Sequence, residues 1–414
     1  MFNKDKEIIR ELAKQYAEIA ALPKQEQTRK LWRSLNGMKP ERPMVLIDQV
    51  CWNEMNVSDE LTLRCQDKEL REHELFLRKQ LYQWKHFPVD MVAEDFIAVP
   101  KAVSGIRFDI EVDAKVLSVD ATNDVRSYSF NNQFNSMDDL HKIKTPTVVH
   151  DKAETKRRVA LAEELYGGII NIREEGVNMY IPVWEWICNW MGMENALYAM
   201  IDKEEMMIGM VERMVAGNMS IIDQLEEQGL LCVPQSLIHC SGAWTDELPK
   251  DGYNPDKPRT IDLWSRSQAQ MFSAVSPEMH YELDLEYSKP MYERFGLMYY
   301  GCCEPLDNKV EGLRRLIPNL RKISMSPWVN KERGAREIAG DFVYSCKPNP
   351  AFLAHDSFDE DIVRKDLEET ISVCKRYNCP VEFILKDIST VKYDPQRLWR
   401  WSEIAMEVVT HANC

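Results

Sequence analysis

Phe295-Gly296-Leu297-Met298-Tyr299-Tyr300-Gly301-Cys302-Cys303-Glu304-Pro305 is a short apolar run that ends in two adjacent thiols and a carboxylate. Bounded by glycine and proline and rich in large side chains, it reads as a buried strand whose tip presents soft and hard ligands together. Two more segments end alike: Ile238-His239-Cys240-Ser241-Gly242 and Phe342-Val343-Tyr344-Ser345-Cys346-Lys347-Pro348 each place a thiol where apolar sequence gives way to loop. If these strands share one sheet, the thiols can meet.

Similar β-rich runs recur at 230–238, 320–325, 341–345 and 381–385, and helical patterns separate most of them. Ser276-Pro277-Glu278 has the form of a helix start, with a serine cap, proline in the first helical position and an acid in the first turn. Asp359 opens another helix, in which Ile362, Val363, Leu367, Ile371 and Cys374 fall along one face, so Cys374 reads as core. Cys379, just before Pro380, reads the same way. No Gly-x-Gly-x-x-Gly or phosphate-loop pattern follows any strand, which favours a closed barrel over a doubly wound sheet. The expected fold is therefore α/β, a (β/α)8 TIM barrel over residues 91–414. Residues 1–90 form an N-terminal helical extension, with charged helices at 5–21 and 59–85 and a strand-like run at 42–48 ending in Asp48.

Composition narrows the function classes. A formal charge of −15 over 414 residues argues against a sequence-independent grip on nucleic acid, which depends on clustered cations. The eleven cysteines are few for a disulfide scaffold of this length and several lie in apolar segments, as reduced cytoplasmic thiols do. No apolar run approaches the roughly 18–20 residues a membrane span requires, and the amino terminus lacks a signal-peptide core. A cytoplasmic protein with no membrane partner is expected, and a homodimer is compatible with it.

In a barrel the site lies at the carboxyl ends of the strands. That rule gathers His239 with Cys240, Cys302 through Glu304, Ser324 to Ser326, Cys346 with Lys347, and Lys386 with Asp387. Thiolate, imidazole and carboxylate are the ligands zinc takes, so Cys302, Cys303 and Cys346 are candidate metal ligands, with Glu304 or His239 beside them. Successive strand residues face opposite ways, so only one of Cys302 and Cys303 can face the mouth if the strand runs through both. Each alone is more simply a small buried hydrophobe or a hydrogen-bonded core histidine, and it is their clustering that argues for a site. Tyr180 to Trp190 packs three tryptophans and a tyrosine into eleven residues. Tyr180, Trp184 and Trp186, with Trp244 and Tyr300, are candidates to line an aromatic substrate pocket, or else to pack a helix on the barrel. Met206-Met207-Ile208-Gly209-Met210 reads as core filler.

Together, Ser276-Pro277-Glu278 with its helix, the strand into Tyr300-Gly301-Cys302, Ile323-Ser324-Met325, the strand ending Lys347-Pro348-Asn349-Pro350, and Ile181 through Glu194 resemble the uroporphyrinogen decarboxylase superfamily over about residues 90–410. The arginine-rich motif by which its decarboxylases bind carboxylates is absent from Arg42 to Gln49. The resemblance therefore implies the branch of methyltransferases that serve corrinoid proteins. Members acting on coenzyme M hold zinc with a His-x-Cys and a second cysteine after the last strand; here Tyr300 replaces that histidine and Lys386-Asp387-Ile388-Ser389 follows the last strand. What is implied is methyl transfer from a small methylated substrate, with the tryptophans favouring a methoxylated aromatic, to a corrinoid carried by a separate protein. Zinc or a carboxylic acid would activate the leaving heteroatom, with Glu304, Asp387 and His239 as catalytic candidates. A decarboxylase of a smaller acid and a non-catalytic tetrapyrrole- or corrinoid-binding barrel are the alternatives.

Overall fold

The computed structural model describes residues 2–117 and 127–412. The strands that position the site are β1 (Met44–Ile47), β2 (Phe96–Pro100), β3 (Asn171–Glu175), β4 (Leu237–Ile238), β5 (Ser241–Gly242), β6 (Trp264–Ser267), β7 (Leu297–Tyr300), β8 (Leu320–Met325), β9 (Val343–Cys346) and β10 (Val381–Leu385). Six of them form one parallel sheet in the order β1-β10-β9-β8-β7-β6. Strands β1, β7, β9 and β10 are buried at every position, as expected of parallel strands covered on both faces.

The sheet is open, where the sequence predicts a closed barrel. Strands β2 and β3 pair with each other as a separate two-stranded sheet. Past the β6 edge, among the described residues, only the single bridges Ile181 to Ser267 and Val177 to Leu231 continue the parallel pairing. Two features account for this. The run at 230–238 contains Pro234, which has no N–H to give a ladder, and it ends as a two-residue strand in the β4–β5 hairpin. Strand β3, Asn-Ile-Arg-Glu-Glu, is polar and half-exposed rather than a continuous apolar run.

Residues 1–90 supply helices at Phe2–Ala20, Pro23–Asn36 and Lys68–His86. They also supply β1, which pairs with β10 from Met44↔Glu382 to Ile47↔Leu385 and makes this stretch part of the main sheet. The helix predicted at 59–85 begins only at Lys68, because the Asp67 carboxylate caps it by accepting the Leu70 N–H. Ser276 and Asp359 cap their helices as predicted, and Cys374, Cys379, Met206, Met207 and Met210 are buried core. Among the described residues, no helix is long and apolar enough to cross a membrane.

Candidate active site

Strand alternation decides what faces what. In β9, Ser345 and the following Lys347 share one face while Tyr344 and Cys346 share the other. The Ser345 hydroxyl donates to Glu382 of β10 at 2.6 Å, and the Lys347 ammonium donates to the Tyr299 hydroxyl at 2.6 Å and to Ser345 at 2.7 Å. Lys322 of β8 completes this fully buried group through Glu382 at 2.8 Å and the Ser241 hydroxyl at 2.6 Å. Ammonium and carboxylate groups thus fill the inner face of strands that are otherwise apolar.

At the carboxyl tips of the same strands lies a second cluster. Gly301 turns the chain at φ +97°, and a Cβ there would stand 2.4 Å from Leu306, so glycine is required. The turn delivers Cys302, whose sulfur accepts from the Lys386 ammonium at 2.9 Å and lies 3.5 Å from that of Cys303. The Cys303 sulfur also lies 3.4 Å from Asp387, so its one S–H is shared between that carboxylate and the Cys302 sulfur. The hydrogen bond from Cys303, joined by the Lys386 charge, brings Cys302 below the usual thiol range against the effect of burial, while Cys303 is pushed up by that same bond. The Lys386 ammonium beside Cys302 thus favours ionisation there over Cys303.

Three non-glycine residues at these tips hold left-handed backbone: Gln49 at φ +51°, His239 at +55° and Asp387 at +56°. Strain of this kind collects at functional sites. Asp48, His239, Cys240 and Trp244 line a cavity of about 370 Å³, bounded by β1, β2 and the β4–β5 hairpin, which is within the size range of small-ligand sites. Burial raises the Asp48 carboxyl above the ordinary carboxylate range, against the opposing pull of the Gln49 N–H and of Lys386. The sequence marked Asp48 as the end of a strand but placed it outside the barrel; its pairing into the sheet brings it to the site.

The structure brings Cys302, Cys303, Asp387 and His239 to the mouth and takes other candidates elsewhere. Cys346 faces away, buried toward Asp366, Lys331 and Thr370, and burial pushes its thiol up to about 12. Glu304 is fully buried, with its carboxylate accepting the backbone N–H groups of Ala269 and Cys302 at 3.1 and 2.9 Å, so it anchors the Cys302 turn. Tyr300 points to the helical side, where its hydroxyl donates to Asp284 at 2.7 Å and lies 2.6 Å from His280. Trp184 is core, edge-on to Phe272 at 4.7 Å. Tyr180 and Trp186 border a hollow of about 60 Å³, leaving Trp244 as the aromatic candidate on the larger cavity.

Zinc takes three or four protein ligands, and among the described residues no three His, Cys, Asp or Glu side chains stand where they could hold a metal ion. Cys302 already shares its charge with Lys386, whose ammonium occupies the place a cation would take. The donor set as placed does not fit zinc.

Glu185 is a titratable group absent from the sequence-derived set. Burial pushes its carboxyl up to about 7, with nearby Glu304 adding to the effect and the Gln270 N–H opposing it. A carboxyl whose pKa is higher folded than unfolded binds its proton more tightly in the native state. Stability is therefore lost as pH rises from the unfolded value toward about 7, and levels off beyond. Glu185→Gln should remove up to about 3 kcal/mol of that decline. Urea unfolding of both proteins between about pH 5 and about pH 8 checks it, and parallel curves would refute the shift.

No family model matches the chain, and no curated protein does. Among solved structures, it is similar to a methyltransferase from Methanosarcina mazei, with 9% identity, a TM-score of 0.49, and coverage of 92% of this chain and 97% of that one.

Proposed function

We propose that this protein moves a methyl group from a small methylated compound to a corrinoid held by a separate protein. The observation that carries the proposal is the meeting, at one set of strand tips, of the buried Asp48 carboxyl with the Cys302 sulfur that the Lys386 ammonium holds. Heterolysis of a bond from methyl to oxygen or nitrogen needs a proton for the heteroatom and an electron pair for the carbon. Asp48 gives the proton, and the heteroatom keeps the bonding pair as the C–X bond breaks. The Cys302 sulfur sets negative charge beside the carbon, where positive charge develops, and Lys386 fixes that sulfur in place. A reduced corrinoid, when its carrier docks, supplies the pair that receives the methyl group.

Incubating the purified, anaerobic chain with cob(I)alamin and a panel of methoxylated aromatics, methylamines and methyl thioethers should yield methylcobalamin from at least one donor. Its absence with every donor, from protein shown to be folded, would defeat the proposal. Carbon dioxide released from a small acid with no cobalt present would instead favour a decarboxylase.

A further inference from the structure

The tautomer of His239 is fixed by its neighbour. The Arg266 guanidinium donates to His239 Nδ1 at 3.0 Å, so in the neutral ring the proton sits on Nε2. Burial, with the charges of Arg266, Lys386 and Lys347, keeps the ring neutral. Nε2 is buried and has no partner, while the His239 side chain lines the 370 Å³ cavity. Burying an N–H without a partner is costly, and His239 carries left-handed backbone strain as well. Both are explained if a ligand acceptor completes the site.

The charges near His239 say what kind of acceptor. Among the described residues, Arg266 makes no ion pair: its guanidinium bonds His239 and Gln268 and lies 4.4 Å from the centre of the Tyr180 ring. Lys347 is likewise held by the hydroxyls of Tyr299 and Ser345 rather than by a carboxylate. The acids on the cavity wall are engaged elsewhere: Asp90 by Arg42 at 2.5 Å, Glu94 by Arg29 at 2.8 Å, and Glu175 by Arg173. Asp48, the remaining acid of the wall, is the one whose carboxyl burial pushes above the ordinary range. Cationic groups that lack a carboxylate partner thus stand beside an N–H that lacks an acceptor.

We propose that the cavity binds a carboxylate-bearing compound, one oxygen of which accepts from His239 Nε2–H in the positive field that Arg266 sets up from the other side of the ring, with its apolar body against Trp244, Leu46 and Phe96. This deepens the methyl-transfer reading by naming the substrate class as methylated carboxylic acids, and the binding claim is testable without turnover.

The full chain is titrated calorimetrically with acetate, benzoate and meta-methoxybenzoate and with the matching uncharged amides. At least one carboxylate should bind about tenfold or more tighter than its amide, as a charge-assisted hydrogen bond allows. His239→Asn, chosen because asparagine tolerates left-handed backbone, and Arg266→Gln should each remove about tenfold of that preference. In the unaltered protein, nitrogen NMR of labelled histidine should show a protonated Nε2 at His239 whose signal moves with the bound carboxylate. No carboxylate binding, equal binding of acids and amides, or both variants behaving as the parent would overturn the assignment. Carboxylate preference without methylcobalamin formation would sink the methyl-transfer reading and leave the carboxylate site standing; methyl transfer from uncharged donors alone would do the reverse.

Discussion

Glu382→Leu is expected to destabilise the protein by about 3–5 kcal/mol, read as a drop in the urea midpoint near neutral pH. Lys322 and Glu382 are both fully buried and 2.8 Å apart, so removing the carboxylate leaves an ammonium with no anion in a water-free interior. The loss extends further, because Glu382 also accepts from Ser345 and Ser241, and Ser345 holds the ammonium of Lys347. Removing both charges is a different experiment. Lys322→Met with Glu382→Leu should recover most of the lost stability, since an apolar pair of similar volume replaces a desolvated ion pair at little net cost. A single-variant loss below about 1 kcal/mol would mean that water reaches the pair.

Asp48→Asn is expected to lower the rate of methyl transfer by about 10²–10⁴, the usual contribution of a positioned acid, while substrate binding changes little. The amide keeps the shape and the hydrogen-bonding edge of the side chain and lacks the proton. The working form of Asp48 is the protonated one, and burial raises its pKa. Activity of the parent protein should therefore fall as pH rises through that elevated value, and the variant should lose this limb of the profile. A variant with parent-like rates, or a parent profile that rises over the same range, would transfer the acid role to Asp387 at the rim.

The contrast between these residues shows what could be read from the sequence. Strands β7 to β10 were legible because each is a short apolar run between turn signals, and Ser276 and Asp359 announced their helices through the hydrogen bonds they make. The run at 230–238 looked the same, but Pro234 withholds a ladder donor, so apolarity there marks burial without strand pairing. For the site, alternation applied one residue further would have turned Cys346 away from the mouth, since Ser345 and Lys347 take the inner face. The signal for the buried ions was also present: Lys322 and Glu382 are opposite charges inside two apolar runs, and such charges are seldom buried unless paired. Nothing in linear spacing could announce the Arg266–His239 contact or the Cys302–Lys386 contact, because the partners are 27 and 84 residues apart.

The gap between β1 and β2 has a bearing on which guests the protein admits. Because those strands belong to separate sheets, that wall of the cavity is shaped by side chains such as Leu46 and Phe96 and not by a continuous hydrogen-bonded ladder. Trimming or enlarging these side chains would resize the chamber while leaving the scaffold's backbone bonding intact, so tolerance for bulkier molecules can drift in this protein without endangering its architecture.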